Sequence, residues 1–256
     1  MQSTGLKRFI YGIMYLIIFG GLGYGIYAVT LQPAPSCFDN KQNQGETDID
    51  CGGSNCQPCD AKNFQPINIA PVALINVGGT SLSAVIRLSN PNTSYGANKF
   101  TYTLKFFDSN GTIVDSVTND SFIYPGEIKT IIEAGLNIDP GLVSSASVEV
   151  SNLSLKSIAD FALPKIQTRD IKIELRHQDS LAVISGVLVN QNAFVLSQAV
   201  INVVIANELG VKVGASKTLA ENIQPFTEQQ FRISVPSIDL AVVTLDQIEI
   251  SVAARQ

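Results

Sequence analysis

The segment FTYTLKFFDSNG, Phe100–Gly111, carries the clearest strand and turn signals in this chain of 256 residues. Large apolar residues alternate with polar ones, so one face of a strand is expected to be buried and the other wet, as in an antiparallel sheet. The inward residues are Phe100, Tyr102, Leu104 and Phe106, and the outward ones are Thr101, Thr103 and Lys105. Asp108–Gly111 predicts a hairpin turn in which Gly111 takes a positive φ.

The same order of strands and turns recurs about 100 residues later, which indicates an internal duplication. The paired segments are Ala84–Asn90 with Ile184–Asn190, Thr101–Gly111 with Val200–Gly210, Tyr124-Pro125 with Gln224-Pro225, and Glu127–Ala134 with Thr227–Ser234. Each copy has the size of an immunoglobulin-like domain. The sequence therefore predicts two tandem immunoglobulin-like antiparallel β-sandwiches, at residues 64–163 and 164–256, joined near Pro164.

A strand early in the second copy shows the same alternation. In Ile171–Leu175 we expect Ile171, Ile173 and Leu175 to face inward, while Lys172 and Glu174 face solvent.

These repeats resemble FxLYD domains, small extracytoplasmic β-sandwiches of prokaryotic envelope proteins. In the second copy the resemblance rests on Gly186–Asn190, Ala199–Asn207, Gly210, Pro225 and Phe231. In the first it rests on Asn90, Leu104–Asp108, Gly111 and Pro125-Gly126. The resemblance implies a location outside the cytoplasm and supplies no catalytic residue.

An uncharged run, Phe9–Leu31, precedes the repeats, and Lys7 and Arg8 stand directly before it. As a helix it would be about 34 Å long, enough to cross a bilayer. The flanking charges predict a signal anchor, with a cytoplasmic tail at residues 1–8, a transmembrane helix at 9–31 and the bulk outside. A cleaved signal peptide is the alternative, but the run is long and no Ala-x-Ala site follows. Gly21 and Gly25 have the spacing of a helix-packing face.

The segment at residues 32–63 holds all four cysteines, Cys37, Cys51, Cys56 and Cys59. It has almost no aliphatic residues, and we therefore expect covalent cross-links to hold it. Outside the membrane, two disulfides are expected, and any of three pairings is compatible with the spacing. A zinc site with four thiolates is the alternative.

Acidic residues crowd the same segment, and its stretch Cys37–Asp60 has a net charge of −4 of the total −5. Its text from Asn43 to Cys59 resembles a short Cys-rich module of surface-exposed bacterial and archaeal proteins. Oxygen ligands at close spacing suggest calcium, although they do not follow the loop of an EF-hand. The candidates are Asp39, Asn43, Glu46, Asp48 and Asp50. The alternative is a solvated acidic loop held by disulfides.

Composition and motifs exclude several functions. The acidic balance argues against a nucleic-acid partner. His177 is the single histidine, and no nucleophile motif accompanies it, so we expect a surface turn there and no enzyme.

Together these features predict a membrane-anchored envelope or cell-surface protein that acts as a structural or protein-interaction scaffold. Two sandwiches would project outward as a rod and bind an envelope or surface protein. The alternative is a membrane-tethered calcium- or ligand-binding receptor subunit. A subunit of an envelope enzyme whose active site lies on another chain is a third hypothesis. The sequence indicates neither the partner nor the oligomeric state.

Overall fold

A single helix, α1, spans Thr4–Thr30 in this computed structural model, which describes residues 4–30, 36–57, 59, 64–176, 178, 180–236 and 247–256. The helix begins five residues before the predicted start, and the predicted end, Leu31, lies outside the described residues. The stretch Lys7–Tyr27 is long and apolar enough to cross a membrane, and its side chains are exposed. The expected apolar helix is confirmed.

The chain divides into two units, residues 1–59 and residues 60–256. In the first unit, residues 36–57 form turns and bends, and the described backbone contains one isolated bridge between Asp48 and Cys51. This part of the chain has no strands because it lacks the alternating apolar residues that strands need to form a core. Cross-links replace that core, as described below.

The second unit begins with a β-sandwich of two antiparallel sheets. In one sheet β3 is central, with β6 along one edge and β2 and β1 along the other, and in the second sheet the order is β5-β4-β7. Apolar side chains of both sheets meet between them, and Ile86, Phe100 and Phe106 are fully buried. The strands are β1 (Asn68–Ile69), β2 (Ala73–Gly78), β3 (Ser81–Ser89), β4 (Tyr95–Phe107), β5 (Ile113–Ile123), β6 (Ile128–Leu136) and β7 (Ser145–Ser157). A short 3-10 turn, Pro140–Leu142, precedes β7.

The second β-sandwich repeats this arrangement, which confirms the duplication. Its sheets have the orders β12-β9-β8 and β11-β10-β13, equivalent to β6-β3-β2 and β5-β4-β7. Its core includes the fully buried Ile184, Leu188 and Ile201. The strands are β8 (Ile166–Arg176), β9 (Leu181–Asn190), β10 (Leu196–Ala206), β11 (Lys212–Ile223), β12 (Glu228–Val235) and β13 (Ile248–Arg255).

Strand β4 folds as its sequence predicts. All four inward residues of β4, Phe100, Tyr102, Leu104 and Phe106, are buried. In the hairpin turn, Asp108 Oδ1 accepts hydrogen bonds from the backbone N–H of Asn110 and of Thr112. Hydrogen bonding from Thr112 holds the pKa of Asp108 below its usual range. Gly111 has φ +79°, which a residue with a side chain rarely adopts.

In β8, Ile173 and Leu175 pack against the core as expected. Ile171 lies on the same side of the sheet, since a Cβ added at Gly186 would come within 2.6 Å of the Ile171 Cδ1 and 2.9 Å of the core residue Phe231, although Ile171 is 36% exposed. The β8–β9 register shifts between Arg169 and Lys172, and Asp170 has φ +53°, so the strand contains a bulge. The inserted residue changes which residues face the core, from the even-numbered Ile166 before the bulge to the odd-numbered Ile173 after it.

Buried asparagines join the two sheets within each sandwich. Asn190 Nδ2 donates to the carbonyls of Phe194, Ile223 and Gln224. Its Oδ1 accepts from both the backbone N–H and the Nδ2 of Asn192.

The first sandwich contains the same pair of asparagines. Asn90 Nδ2 donates to Tyr95 O and Tyr124 O, and its Oδ1 accepts from Asn92. Asn92 then exchanges two hydrogen bonds with the backbone of Gln65, as Asn192 does with Lys165. This repeated network satisfies backbone groups where the chain crosses between sheets.

The two sandwiches pack against each other through the outer face of one sheet from each. The outer side of the sheet that contains β2, β3 and β6 contacts β10, β11 and β13 through a cluster of small and branched side chains. Its buried members are Ile75, Val85, Ile132, Val204 and Ala215.

Polar contacts also cross this interface. Tyr124 Oη donates to Ala254 O at 3.0 Å, Asn202 Nδ2 donates to Thr130 O at 3.1 Å, and Arg87 pairs with Glu249 at 3.2 Å. The expectation of an end-to-end rod is therefore wrong, because apolar residues on the outer faces of both sandwiches are buried against one another. Strand alternation alone does not show which outer faces meet.

Candidate functional site

The cysteine module contains two disulfides, Cys37–Cys56 and Cys51–Cys59, which confirms the expected chemistry and selects one of the three pairings. No cysteine is free, so the zinc alternative has no thiolate to use.

Four of the five predicted calcium ligands, the carboxylates, accept hydrogen bonds from backbone N–H groups of the loop, and the fifth, Asn43, donates its side-chain amide to Asp39. The Asp50 carboxylate accepts from the N–H groups of Asp39 and Asn40, and Glu46 Oε2 accepts from Asn43 N. Asp48 Oδ1 accepts from Ile49 N. The side-chain hydrogen bond from Asn43 lowers the pKa of Asp39.

These side chains do not converge on one point. Among the described residues, the one trio of potential ligand atoms within 4.8 Å of one another is Cys37, Glu46 and Cys56. The two sulfurs of that trio form a disulfide and offer no charge to a cation. Calcium binding stays a prediction.

Two other sequence predictions concern single residues. A Cβ added at Gly21 or Gly25 would meet no atom within 4 Å, so both positions have open space for a second helix. Helix pairing there stays a prediction. His177 lies outside the described residues.

A cavity of about 460 Å³ lies where the two sandwiches meet, within the size range of small-molecule sites. The first sandwich contributes β5, β6 and part of β4, and the second contributes β10, β11 and β13. Its polar lining residues are Lys99, Tyr102, Asn119, Asp120, Ser121, Lys129, Thr130, Glu133, Gln198, Asn202, Lys217 and Arg255.

Lys129 is the most unusual side chain in this cavity. It is only 4% exposed, and its Nζ has no hydrogen-bond partner. The ammonium lies 3.2 Å from the centroid of the Phe122 ring, a cation–π contact that offsets part of the lost hydration. Burial lowers the pKa of Lys129 to about 8; Glu127 acts in the opposite direction, and Arg255 lowers it further.

The other charges of the cavity are unevenly paired. Lys99 Nζ lies 2.9 Å from Asp120, and Lys217 Nζ lies 3.9 Å from Glu133. Glu133 also accepts hydrogen bonds from Tyr102 Oη and from Asn119 Nδ2. Burial, together with this contact to Glu133, raises the pKa of the Tyr102 phenol.

Arg255 lies over the same Phe122 ring, 5.6 Å from its centroid. In the part of the chain that the structure describes, neither Lys129 nor Arg255 has a carboxylate within 4.0 Å. Both acidic residues of the lining are already engaged, so the cavity carries an excess of positive charge.

One lining residue of the cavity also has a buried hydrogen-bond acceptor without a partner. Asn202 is 2% exposed, and its Oδ1 has no hydrogen-bond partner, although its Nδ2 donates to Thr130 O. Among the lining residues, one buried donor, Lys129 Nζ, and one buried acceptor, Asn202 Oδ1, are therefore unsatisfied. Buried polar atoms without partners are uncommon in folded proteins and call for an explanation, such as an unseen ligand or water.

No sequence motif predicted this cavity, although β6 has charged residues at core-facing positions. Ile131 lies in the core of the first sandwich, so Lys129 and Glu133, two residues to either side, face the same way. Charged residues at inward positions of a strand are expensive, and they mark a site more often than exposed ones do.

The comparisons with known proteins do not identify a family. No protein-family model and no curated protein matches the sequence, so the resemblance to FxLYD domains stays a prediction. Among solved structures, the crystal structure of red sea bream transglutaminase matches with a TM-score of 0.25 and 10% identity. The match covers 76% of this chain and 32% of that chain, so the chain spans about a third of the enzyme's length.

Proposed function

We propose that this chain is a membrane-tethered scaffold whose paired β-sandwiches act outside the cytoplasm as a structural or protein-interaction module. The observation that carries the proposal is the order of its parts: an apolar helix with Lys7 and Arg8 near its N-terminal end, then a module that contains two disulfides. Disulfides persist in oxidising compartments, and basic residues before a helix keep that end in the cytoplasm.

The sandwiches supply the binding surface in this proposal. Strands β7, β8 and β12 each lie at the edge of a sheet and do not line the cavity, and such edges accept a strand from another protein. The resemblance to FxLYD envelope domains supports the same role. We assign no catalysis to the chain.

We expect the C-terminus to lie outside the cytoplasm. Alkaline phosphatase fused after Gln256 should be active, and green fluorescent protein fused there should be dark, because each reporter matures on one side of the membrane only. Replacing Lys7 and Arg8 by Glu should reduce the phosphatase signal several-fold, since these charges orient the helix. Replacing Lys105 and Lys212 by Glu, far along the chain, is the matched control and should leave the signal unchanged.

A fluorescent C-terminal fusion would contradict the proposed topology. The intact mass of the chain from the membrane fraction separates the signal anchor from the signal peptide. Retention of the N-terminal residues supports the anchor, and loss of about the first 30 residues supports cleavage.

The scaffold role predicts a stable protein neighbour. Lysine-directed crosslinking in native membranes, followed by mass spectrometry, should link exposed lysines of the sandwiches, such as Lys165 and Lys172, to one recurring envelope protein. A single-pass protein of similar abundance serves as the control. Crosslinks no more frequent or selective than those of the control would contradict the scaffold role.

The cavity favours a second candidate, a ligand-binding receptor subunit. Its two unsatisfied buried atoms, Lys129 Nζ and Asn202 Oδ1, are the specific support for that function. The two roles are compatible, because the cavity and the outer strand edges are different surfaces.

A further inference from the structure

We propose that the cavity between the two sandwiches binds a small hydroxylated organic anion, with Lys129 and Arg255 facing its negative group and Asn202 accepting a hydroxyl hydrogen. This inference rests on the second candidate function, ligand binding, and deepens it by naming the class of ligand.

Lys129 is buried without a hydrogen-bond partner for its amine. A buried polar group without a partner is unfavourable, and a charged one more so. The Phe122 ring supplies part of the compensation, but it leaves the three N–H groups of the ammonium without an acceptor. A ligand oxygen in the cavity would satisfy them. The unpaired ammonium of Lys129 therefore favours a ligand that supplies an acceptor oxygen.

The unpaired charges of the cavity are positive. Lys99 and Lys217 are paired with Asp120 and Glu133, whereas Lys129 and Arg255 are unpaired in the described chain. Two such cations beside one aromatic ring attract an anion, and the low polarity of a partly enclosed site strengthens the attraction. A neutral or cationic ligand would leave the charge excess uncompensated.

The size of the cavity and its hydrogen-bonding groups point to an organic ligand with hydroxyl groups. A cavity of about 460 Å³ is much larger than a single water-sized ion needs, so the anion has an organic body. Asn202 Oδ1 requires a donor, which a carboxylate group alone does not provide at neutral pH. Ser121 and Gln198 add further polar groups to the wall. Hydroxyl groups on the ligand would meet these requirements.

A route into the cavity exists at its rim. The side chains of Lys99, Asp120 and Lys217 are 59%, 53% and 40% exposed, so solvent reaches the rim while Lys129 stays buried. Their ion pairs are exposed and therefore weak, and they can separate as a ligand enters.

The test uses the full chain in detergent micelles and three probes: sodium glucuronate, the neutral sugar methyl glucoside, and inorganic phosphate. By isothermal titration we expect saturable glucuronate binding. We expect binding of the neutral sugar and of phosphate to be at least tenfold weaker, since the sugar lacks the negative group and phosphate lacks an organic body that fills the cavity. Lys129→Met should weaken glucuronate binding at least tenfold. Lys105→Met, which removes a lysine outside the cavity, is the matched control and should bind like the wild type.

Binding should also weaken as the pH rises from 7 through 9, because Lys129 then loses its proton. The charged groups around the amine are Glu127 and Arg255, and farther along the cavity Lys99, Asp120, Glu133 and Lys217. Burial raises the pKa of Glu127 from its ordinary value, so the same titration with Lys129→Met is the control that separates the amine from this carboxyl. A pH dependence that Lys129→Met removes reports on the amine.

Four outcomes would overturn the inference. They are no saturable glucuronate binding at tens of millimolar, equal binding of the neutral sugar, phosphate binding as strong as glucuronate binding, and unchanged binding by Lys129→Met. None of them bears on the scaffold role, because the reporter fusions and the crosslinking experiment involve no ligand.

Discussion

Asn190→Ala is expected to lower the free energy of unfolding of the paired sandwiches by about 3 kcal/mol. Asn190 is fully buried, and its side chain donates to three backbone carbonyls at 2.9–3.1 Å. It also accepts from Asn192 twice, and Asn192 in turn holds the backbone of Lys165. Alanine would leave several buried groups without partners and would loosen the entry of the chain into the second sandwich.

Urea unfolding of the full chain in micelles measures this loss. Asn90→Ala should cause a similar loss, because Asn90 has the equivalent role in the first sandwich. Asn110→Ala, in the exposed β4–β5 hairpin, is the matched control and should change stability by less than about 0.5 kcal/mol. A loss for Asn190→Ala no larger than that of the control would show that the network contributes little.

The asparagines show which structural features the sequence predicts and which depend on distant contacts. Asn90 and Asn190 stand at equivalent places in the repeat, at the ends of the paired segments Ala84–Asn90 and Ile184–Asn190. Their partners Asn92 and Asn192 were missed, because the bonds to Gln65 and Lys165 join residues 27 positions apart. Local alternation predicts which way a side chain of β4 faces, since that depends only on neighbours in the strand.

Features that depend on distant contacts could not be predicted in the same way. The side-by-side packing depends on Ile132 and Val204, which look like ordinary strand residues until the two outer faces meet. The bulge at Asp170 shifts the alternation within β8, and no glycine or proline marks that bulge. The cavity needs six strands that are distant in sequence, so Lys129 was noticeable only as a charge at an inward position of β6.

Lys129→Met is expected to stabilise the protein at pH 7 by about 2 kcal/mol, although it removes a charged residue. Burial lowers the pKa of Lys129 to about 8, so keeping the ammonium protonated in the folded state is unfavourable. Methionine has a similar length, carries no charge, and makes favourable contacts with an aromatic ring such as that of Phe122. Thermal unfolding of the two proteins at pH 7 measures the gain.

The pH dependence provides a sharper test of the same prediction. Between pH 8 and the ordinary lysine pKa of 10.5, the unfolded chain keeps a proton on Lys129 that the folded chain has released. The unfolded state then binds more protons, so wild-type stability should rise with pH, by at most about 1.4 kcal/mol per pH unit. Lys129→Met should remove this slope, and Lys105→Met should keep it.

The measurement belongs below pH 10, because burial also raises the pKa of Tyr102 and of Tyr124, and those phenols act in the opposite direction at higher pH. An unchanged slope in Lys129→Met, or a loss of stability at pH 7, would show that the amine is not held at an energetic disadvantage. A gain in stability together with a loss of glucuronate binding would indicate that Lys129 serves a ligand. Replacing a lysine with a purely structural role would lower stability instead.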